Sequence, residues 1–176
     1  MEFEPTPLAG AFLVRQKKLV DARGFFARVW CTDEFRQHGL NPTIVQINTG
    51  LSHQAGTLRG MHFQEAPHAE AKFIRCTRGA IYDVIVDLRP DSPTRGRWVG
   101  YELTAENGHM LYAPEGFAHG YQTLCDDAEM YYTTSAMYAG GAARGVRYDD
   151  PALGIVWPRP VSVVSDADRA WPDYRG

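Results

Sequence analysis

Residues 81–88 read Ile81-Tyr82-Asp83-Val84-Ile85-Val86-Asp87-Leu88. Successive side chains of a strand point to opposite faces of its sheet. Tyr82, Val84, Val86 and Leu88 therefore form one apolar row. Ile81, Asp83, Ile85 and Asp87 form the other, which carries two carboxylates. A row of that kind faces either solvent or a polar cavity enclosed by a barrel.

The same rhythm continues on both sides. Strands are predicted over residues 11–20, 43–48, 57–63 and 71–77 upstream. Downstream they are predicted over residues 98–103, 109–112, 120–124 and 129–135. Residues 21–24 and 89–96, rich in Asp, Gly and Pro, read as turns. A short helix is predicted over residues 33–38, capped by Thr32 and ended by Gly39. Near the C-terminus, residues 161–164 read as a strand and residues 165–170 as a helical turn capped by Ser165. The gaps are too short for the helical crossovers of a parallel sheet. About ten short strands with one or two small helices predict an all-β antiparallel sandwich or barrel. No repeat, low-complexity stretch or linker divides residues 1–176, so one domain is expected.

Composition agrees. Of the 176 residues, 44% are hydrophobic and 22% charged, with a net charge of −3. That is enough apolar material for a globular core, and no basic block invites nucleic acid or an anionic membrane. The 17 Gly, 11 Pro and 12% aromatic residues suit turns and strands better than long helices. Cys31, Cys76 and Cys125 are odd in number and lack a CxxC pair, which argues against a disulfide framework and a structural zinc. No apolar run approaches the roughly 18 residues of a membrane span. Met1-Glu2-Phe3-Glu4 lacks the plan of a signal peptide. A cytoplasmic protein is the expectation.

Two stretches could carry chemistry. In Leu58-Arg59-Gly60-Met61-His62-Phe63-Gln64, regular alternation sets His62 and Gln64 on one face and Arg59 on the other. The second is Pro114-Glu115-Gly116-Phe117-Ala118-His119-Gly120. It fits the Pro-x-Gly-x-x-His element of cupin jelly rolls, whose strand aims His119 into the barrel. Metal-binding cupins add a His-x-His motif. Here that motif reads His62-Phe63-Gln64, an incomplete donor set. A metal-dependent cupin enzyme resting on His62 and His119 is a competing reading.

Further motifs follow in order: Asp21-x-Arg23-Gly24-Phe25-Phe26, Gln46-x-Asn48, Lys72, Arg78-Gly79, Tyr132, Tyr138, Asp149-Asp150-Pro151 and Ile155-Val156-Trp157-Pro158. Over residues 8–174 the sequence resembles the dTDP-4-dehydrorhamnose 3,5-epimerase family. That resemblance implies a cupin-like jelly roll, no cofactor and no bound metal. It implies a nucleotide-diphosphate-linked 4-keto-6-deoxy sugar as substrate, inverted at C3, C5 or both through an enolate. By similarity His62 is the base, Asp168 the carboxylate that orients it, Tyr132 the acid and Lys72 the group at the enolate oxygen. Asp83 is a second candidate for the orienting carboxylate, from its strand face. Arg59 and His119 are further polar lining. Arg23, Phe26, Gln46, Asn48 and Tyr138 match positions associated with the nucleotide-sugar. A homodimer is implied, with an N-terminal strand exchanged between subunits.

Two departures bear on substrate. Arg28 stands where the family has an acidic residue, which opens the choice of nucleotide. Thr133-Thr134-Ser135-Ala136-Met137-Tyr138 replaces Lys-Thr-Thr-Asp-Tyr-Tyr, which opens whether one carbon or both are inverted. A heptose in place of the hexose also stays open, as does a jelly roll that binds a nucleotide-sugar without turning it over.

Overall fold

The computed structural model describes residues 1–175. Its strands are β1 (Glu2–Pro5), β2 (Phe12–Arg15), β3 (Leu19–Asp21), β4 (Gly24–Phe26), β5 (Gln46–Ser52), β6 (Leu58–Gln64) and β7 (Lys72–Arg78). They continue as β8 (Ala80–Asp87), β9 (Trp98–Thr104), β10 (Met110–Ala113), β11 (Phe117–Thr123), β12 (Ala128–Thr134) and β13 (Ala143–Gly145). Two short helices, α1 (Thr32–Gln37) and α2 (Asp166–Arg169), accompany them.

The strands form a six-stranded sheet in the order β1-β2-β10-β7-β12-β5 and a five-stranded sheet in the order β13-β6-β11-β8-β9. Neighbouring strands in both are antiparallel. The inner faces meet in one core. Leu13, Ile74, Leu111 and Met130 come from the larger sheet, and Ile81, Ile85, Leu103 and Phe117 from the smaller. Burying these side chains is the main force that holds the sheets face to face.

Each outer face has a separate cover. Fully buried Phe35 of α1 packs with Val14, Phe73, Met110 and Tyr112 on the larger sheet. Leu153, Ile155 and Trp157 cover Met61, Val84, Val86 and Ala118 on the smaller. The second cover resolves the reading of residues 81–88. Val84 and Val86 face the C-terminal segment, while Asp83 and Asp87 point inward and are fully buried. The carboxylate row faces the interior of the sandwich rather than solvent.

Several boundaries differ from the sequence expectation. Residues 11–20 are not one strand. Regular pairing of β2 with β1 ends at Arg15, and β3 pairs with β4 instead. The polar run Gln16-Lys17-Lys18 offers nothing to bury between them, so the chain leaves the sheet. The resulting β3–β4 hairpin holds Val20 78% exposed and Phe26 70% exposed. Residues 161–164 make only an isolated parallel bridge, Val163 to Thr57. Cys31, not Thr32, occupies the N-cap of α1 and makes no side-chain cap bond. Asp33 and Glu34 in the first turn complement the helix dipole instead. Ser165 does cap α2, accepting from the Asp168 amide at 3.1 Å. No helix among the described residues is long and apolar enough to cross a membrane.

Asp87 closes the inner row. Its carboxylate accepts from Arg89 Nε at 2.9 Å, Ser92 Oγ at 2.5 Å and Thr94 Oγ1 at 2.6 Å. Burial pushes its pKa up, but these donors outweigh it and hold the group at about 2. A depressed carboxylate stabilises the fold above its unfolded value and loses that contribution as pH falls through the folded one. Asp87→Asn is expected to cost about 2 kcal/mol at neutral pH, because the buried hydroxyls lose acceptors. The wild-type advantage should close between pH 3.8 and about 2, as followed by urea midpoints of both proteins.

Candidate active site

A cavity of about 1100 Å³ opens between the two sheets. Its floor is built by strand alternation. From the larger sheet, β5 sends Gln46 and Asn48, β7 sends Lys72, and β12 sends Tyr132 and Thr134. Tyr131, one position earlier, falls on the other face of β12, so the register delivers Tyr132 alone. From the smaller sheet, β6 sends Arg59, His62 and Gln64, and β11 sends His119 and Tyr121.

Arg59 and His62 are three residues apart, and regular alternation puts them on opposite faces. The structure corrects this. Along β11 the register runs from His119 against His62 to Tyr121 against Arg59. One residue of β11, Gly120, thus faces two of β6, Gly60 and Met61, which is a bulge. The extra residue turns Arg59 back into the cavity beside His62. The bulge requires glycine: a Cβ on Gly60 would lie 2.5 Å from the Gly120 Cα, at a φ of +135°.

The helical turn α2 completes this wall. Asp168 is buried and places Oδ1 2.5 Å from His62 Nε2. Its Oδ2 accepts the Gly60 amide at 3.2 Å, and Trp171 Nε1 donates to Oδ1 at 3.4 Å. Burial raises the Asp168 carboxyl, but the His62 hydrogen bond and charge, with the Gly60 amide, hold it below the usual carboxylate range. An ionised carboxylate on Nε2 favours the tautomer with the proton there. In that tautomer the imidazole lone pair sits on Nδ1.

A second pair lies alongside. His119 Nε2 is 2.7 Å from Asp83 Oδ1, both buried. Complete burial pushes the Asp83 carboxyl up, against the pull of His119 and Lys72. Asp83 therefore serves His119, and Asp168 serves His62. Both imidazoles are thus committed to aspartates at Nε2. No group of three or more His, Cys, Asp or Glu placed to hold a metal is present among the described residues.

Tyr132 faces this wall from the opposite sheet. Burial first, and then the nearby Glu70 charge and Tyr121, raise its phenol above the ordinary value of 10.0. It stays protonated at neutral pH and can donate. Lys72 is 7% exposed and donates to the His62 carbonyl at 3.1 Å. Tyr138 stands at the rim, 71% exposed, its amide donating to Gln46 Oε1 at 2.6 Å.

Three expected residues lie outside their own chain's cavity. Arg23 and Phe26 belong to the projecting hairpin, and Arg23 is turned onto Asp21. Arg28 pairs with Glu34 at 2.7 Å. Conversely, Glu70 and Trp171 line the cavity although no strand periodicity marked them.

A sequence model described as dTDP-4-dehydrorhamnose 3,5-epimerase matches residues 5–175. A dTDP-4-dehydrorhamnose 3,5-epimerase of Sinorhizobium fredii is 45% identical, over 98% of this chain and 89% of that protein. The crystal structure of the dTDP-4-dehydrorhamnose 3,5-epimerase of Bacillus anthracis, with TDP and PPi bound, superposes with a TM-score of 0.94 at 40% identity, covering 98% of this chain and 99% of that one. A 3′-monoepimerase of Streptomyces bikiniensis, in complex with dTDP-quinovose, superposes with a TM-score of 0.87 at 36% identity, covering 96% and 86%. The two-sheet architecture is the cupin-like jelly roll of these enzymes. A chain matched over nearly its whole length in both sequence and fold is one of their kind: it belongs to the dTDP-4-dehydrorhamnose 3,5-epimerase family, a family of carbohydrate isomerases.

Proposed function

We propose that this chain inverts C3, C5 or both of a nucleotide-diphosphate-linked 4-keto-6-deoxy sugar, through an enolate. The observation that carries the reading is the pairing of two opposed walls. A carboxylate-bound His62 stands on one sheet, and a protonated Tyr132 on the other, across one cavity. Inversion at carbon needs a base on one face and an acid on the other.

The ketone at C4 acidifies the C–H bonds at C3 and C5. His62 Nδ1 takes the proton, and the C–H electrons move into the ring bond to C4 and onto the ketone oxygen. Lys72 donates a hydrogen bond to that oxygen as its charge develops, where a buried donor is worth most. Tyr132 then delivers a proton to the opposite face. Asp168 holds the imidazole and balances the imidazolium. Arg59, His119, Gln46, Asn48 and Tyr138 bind the nucleotide-sugar around this centre, arginine matching the diphosphate.

The same reading makes the protein a homodimer. Strand β1 is hydrogen-bonded to its own β2 along the full register. The N-terminal element free to cross is therefore the β3–β4 hairpin, with its exposed Val20, Phe25 and Phe26. It would bring Arg23, Phe26 and Arg28 to the neighbour's cavity. Arg28 follows the hairpin and is paired with Glu34 of its own chain, so it offers there a guanidinium donor in place of a carboxylate acceptor, which favours a nucleotide different from one read by a carboxylate.

Proton NMR in deuterated water, with 4-keto-6-deoxy sugars on several nucleotides, tests the reaction. Deuterium is expected at C3, C5 or both of at least one substrate. If no sugar exchanges at either carbon under any nucleotide, the chain is not an epimerase of this class. Sedimentation tests the dimer: Phe26→Asp should shift the protein towards monomer and weaken nucleotide-sugar binding together.

A further inference from the structure

Glu70 belongs to no strand and precedes β7 by two residues. Its Oε1 lies 3.0 Å from Lys72 Nζ, and its Oε2 accepts from Gln64 Nε2 at 2.8 Å. The side chains of the ion pair are only 8% and 10% exposed. We propose that Glu70 is a positioning residue of the epimerisation, fixing the Lys72 ammonium so that one of its hydrogens is aimed at the substrate ketone oxygen.

The argument is one of donor counting. A lysine ammonium has three N–H donors and no acceptor. In Lys72 one is donated to the His62 carbonyl at 3.1 Å, and a second is drawn towards the Glu70 carboxylate by an ion pair at 3.0 Å. One is left for a ligand. Two protein partners on a four-carbon stem remove most of its rotamer freedom before substrate arrives, and that preorganisation is what an enolate stabiliser requires. Without Glu70 the head would be held at a single point, the backbone of the base itself.

Glu70 is in turn held. Gln64 donates to its carboxylate and to the Met137 carbonyl at 3.2 Å, while Gln64 Oε1 accepts from the Ala139 amide at 2.6 Å. The carboxylate that steadies Lys72 is thus tied to the segment carrying Tyr138 at the cavity rim. Its charge also reaches Tyr132, where it adds to burial in favouring the neutral phenol. One side chain steadies the lysine and helps keep the proposed acid loaded.

This inference rests on the epimerase reading, and the experiment separates the two. Deuterium exchange of the wild type is measured first, then that of Glu70→Leu and Glu70→Gln, with thermal midpoints for each. Glu70→Leu keeps the bulk and removes the acceptor. It should lower exchange and inversion in equal proportion, about 10- to 100-fold in kcat, with KM little changed. Glu70→Gln keeps an amide oxygen for Lys72 and should recover most of that loss, even where its midpoint equals that of the Leu variant. A wild type without exchange overturns the epimerase reading. A wild type with exchange, and Glu70→Leu at the same rate or Glu70→Gln no better than Glu70→Leu, overturns the role of Glu70 alone.

Discussion

His62→Asn should abolish solvent exchange and turnover together, by about 10²–10⁴-fold, the usual contribution of a positioned base. Asparagine fills much of the same space but offers no basic nitrogen. Because exchange requires only proton removal, a base variant cannot retain it. Asp168→Asn tests the same step through its partner. Both oxygens of Asp168 accept: Oδ2 from the Gly60 amide, Oδ1 from His62 and Trp171. An amide has one acceptor oxygen. If that oxygen stays with buried Gly60, the amide NH₂ faces His62 Nε2 and forces the proton onto Nδ1. The imidazole is then in the wrong tautomer to act as base. Asp168→Asn is therefore expected to lose exchange nearly as far as His62→Asn while leaving nucleotide-sugar affinity within about threefold, as read by calorimetry. If Asp168→Asn exchanges at the wild-type rate, the carboxylate has no part in proton removal.

The sheet architecture and most strands were legible from alternation, because both faces of this sandwich are covered and a slip of one residue would bury the wrong row. Residues 81–88 illustrate how far that goes. Alternation sorted their side chains correctly into two rows. It could not say which row faced inward, because the cover over Val84 and Val86 comes from Leu153, Ile155 and Trp157, some seventy residues away. The site was harder. Periodicity set Arg59 opposite His62, and a bulge at Gly60 brought them to one side. Asp168 carries a local signal only for its helical turn, where Ser165 caps α2. Its pairing with His62 spans more than a hundred residues and entered through family resemblance. Glu70 carried no local signal beyond its two-residue spacing from Lys72. Residues that act by holding another side chain follow the partner's position, not a repeat of their own.

Tyr132→Phe is the complementary experiment. The phenol oxygen is removed while the ring, which packs against the edge of the core, is kept. If Tyr132 returns the proton from the face opposite His62, base and enolate stabiliser remain intact in the variant. Deuterium should still enter at C3 or C5, delivered back by His62 to the face it left. Inversion should fall by about 10²–10⁴-fold. The ratio of exchange to inversion, near one for a concerted pair of groups, becomes large. Tyr131→Phe supplies the control for register, since its side chain lies on the far face of β12; both rates should stay within twofold of wild type. Protonation gives a second check. Burial, then the charge of Glu70 and the neighbouring Tyr121, raise the Tyr132 phenol above 10.0. A phenol must be protonated to donate, so inversion should hold through neutral pH and fall only as pH rises past that raised value. In Tyr132→Phe that alkaline limb disappears from the residual inversion, while exchange shows no such limb in either protein. A variant that loses exchange and inversion equally would instead make Tyr132 part of enolate formation, and the acid would have to be sought elsewhere on the same wall.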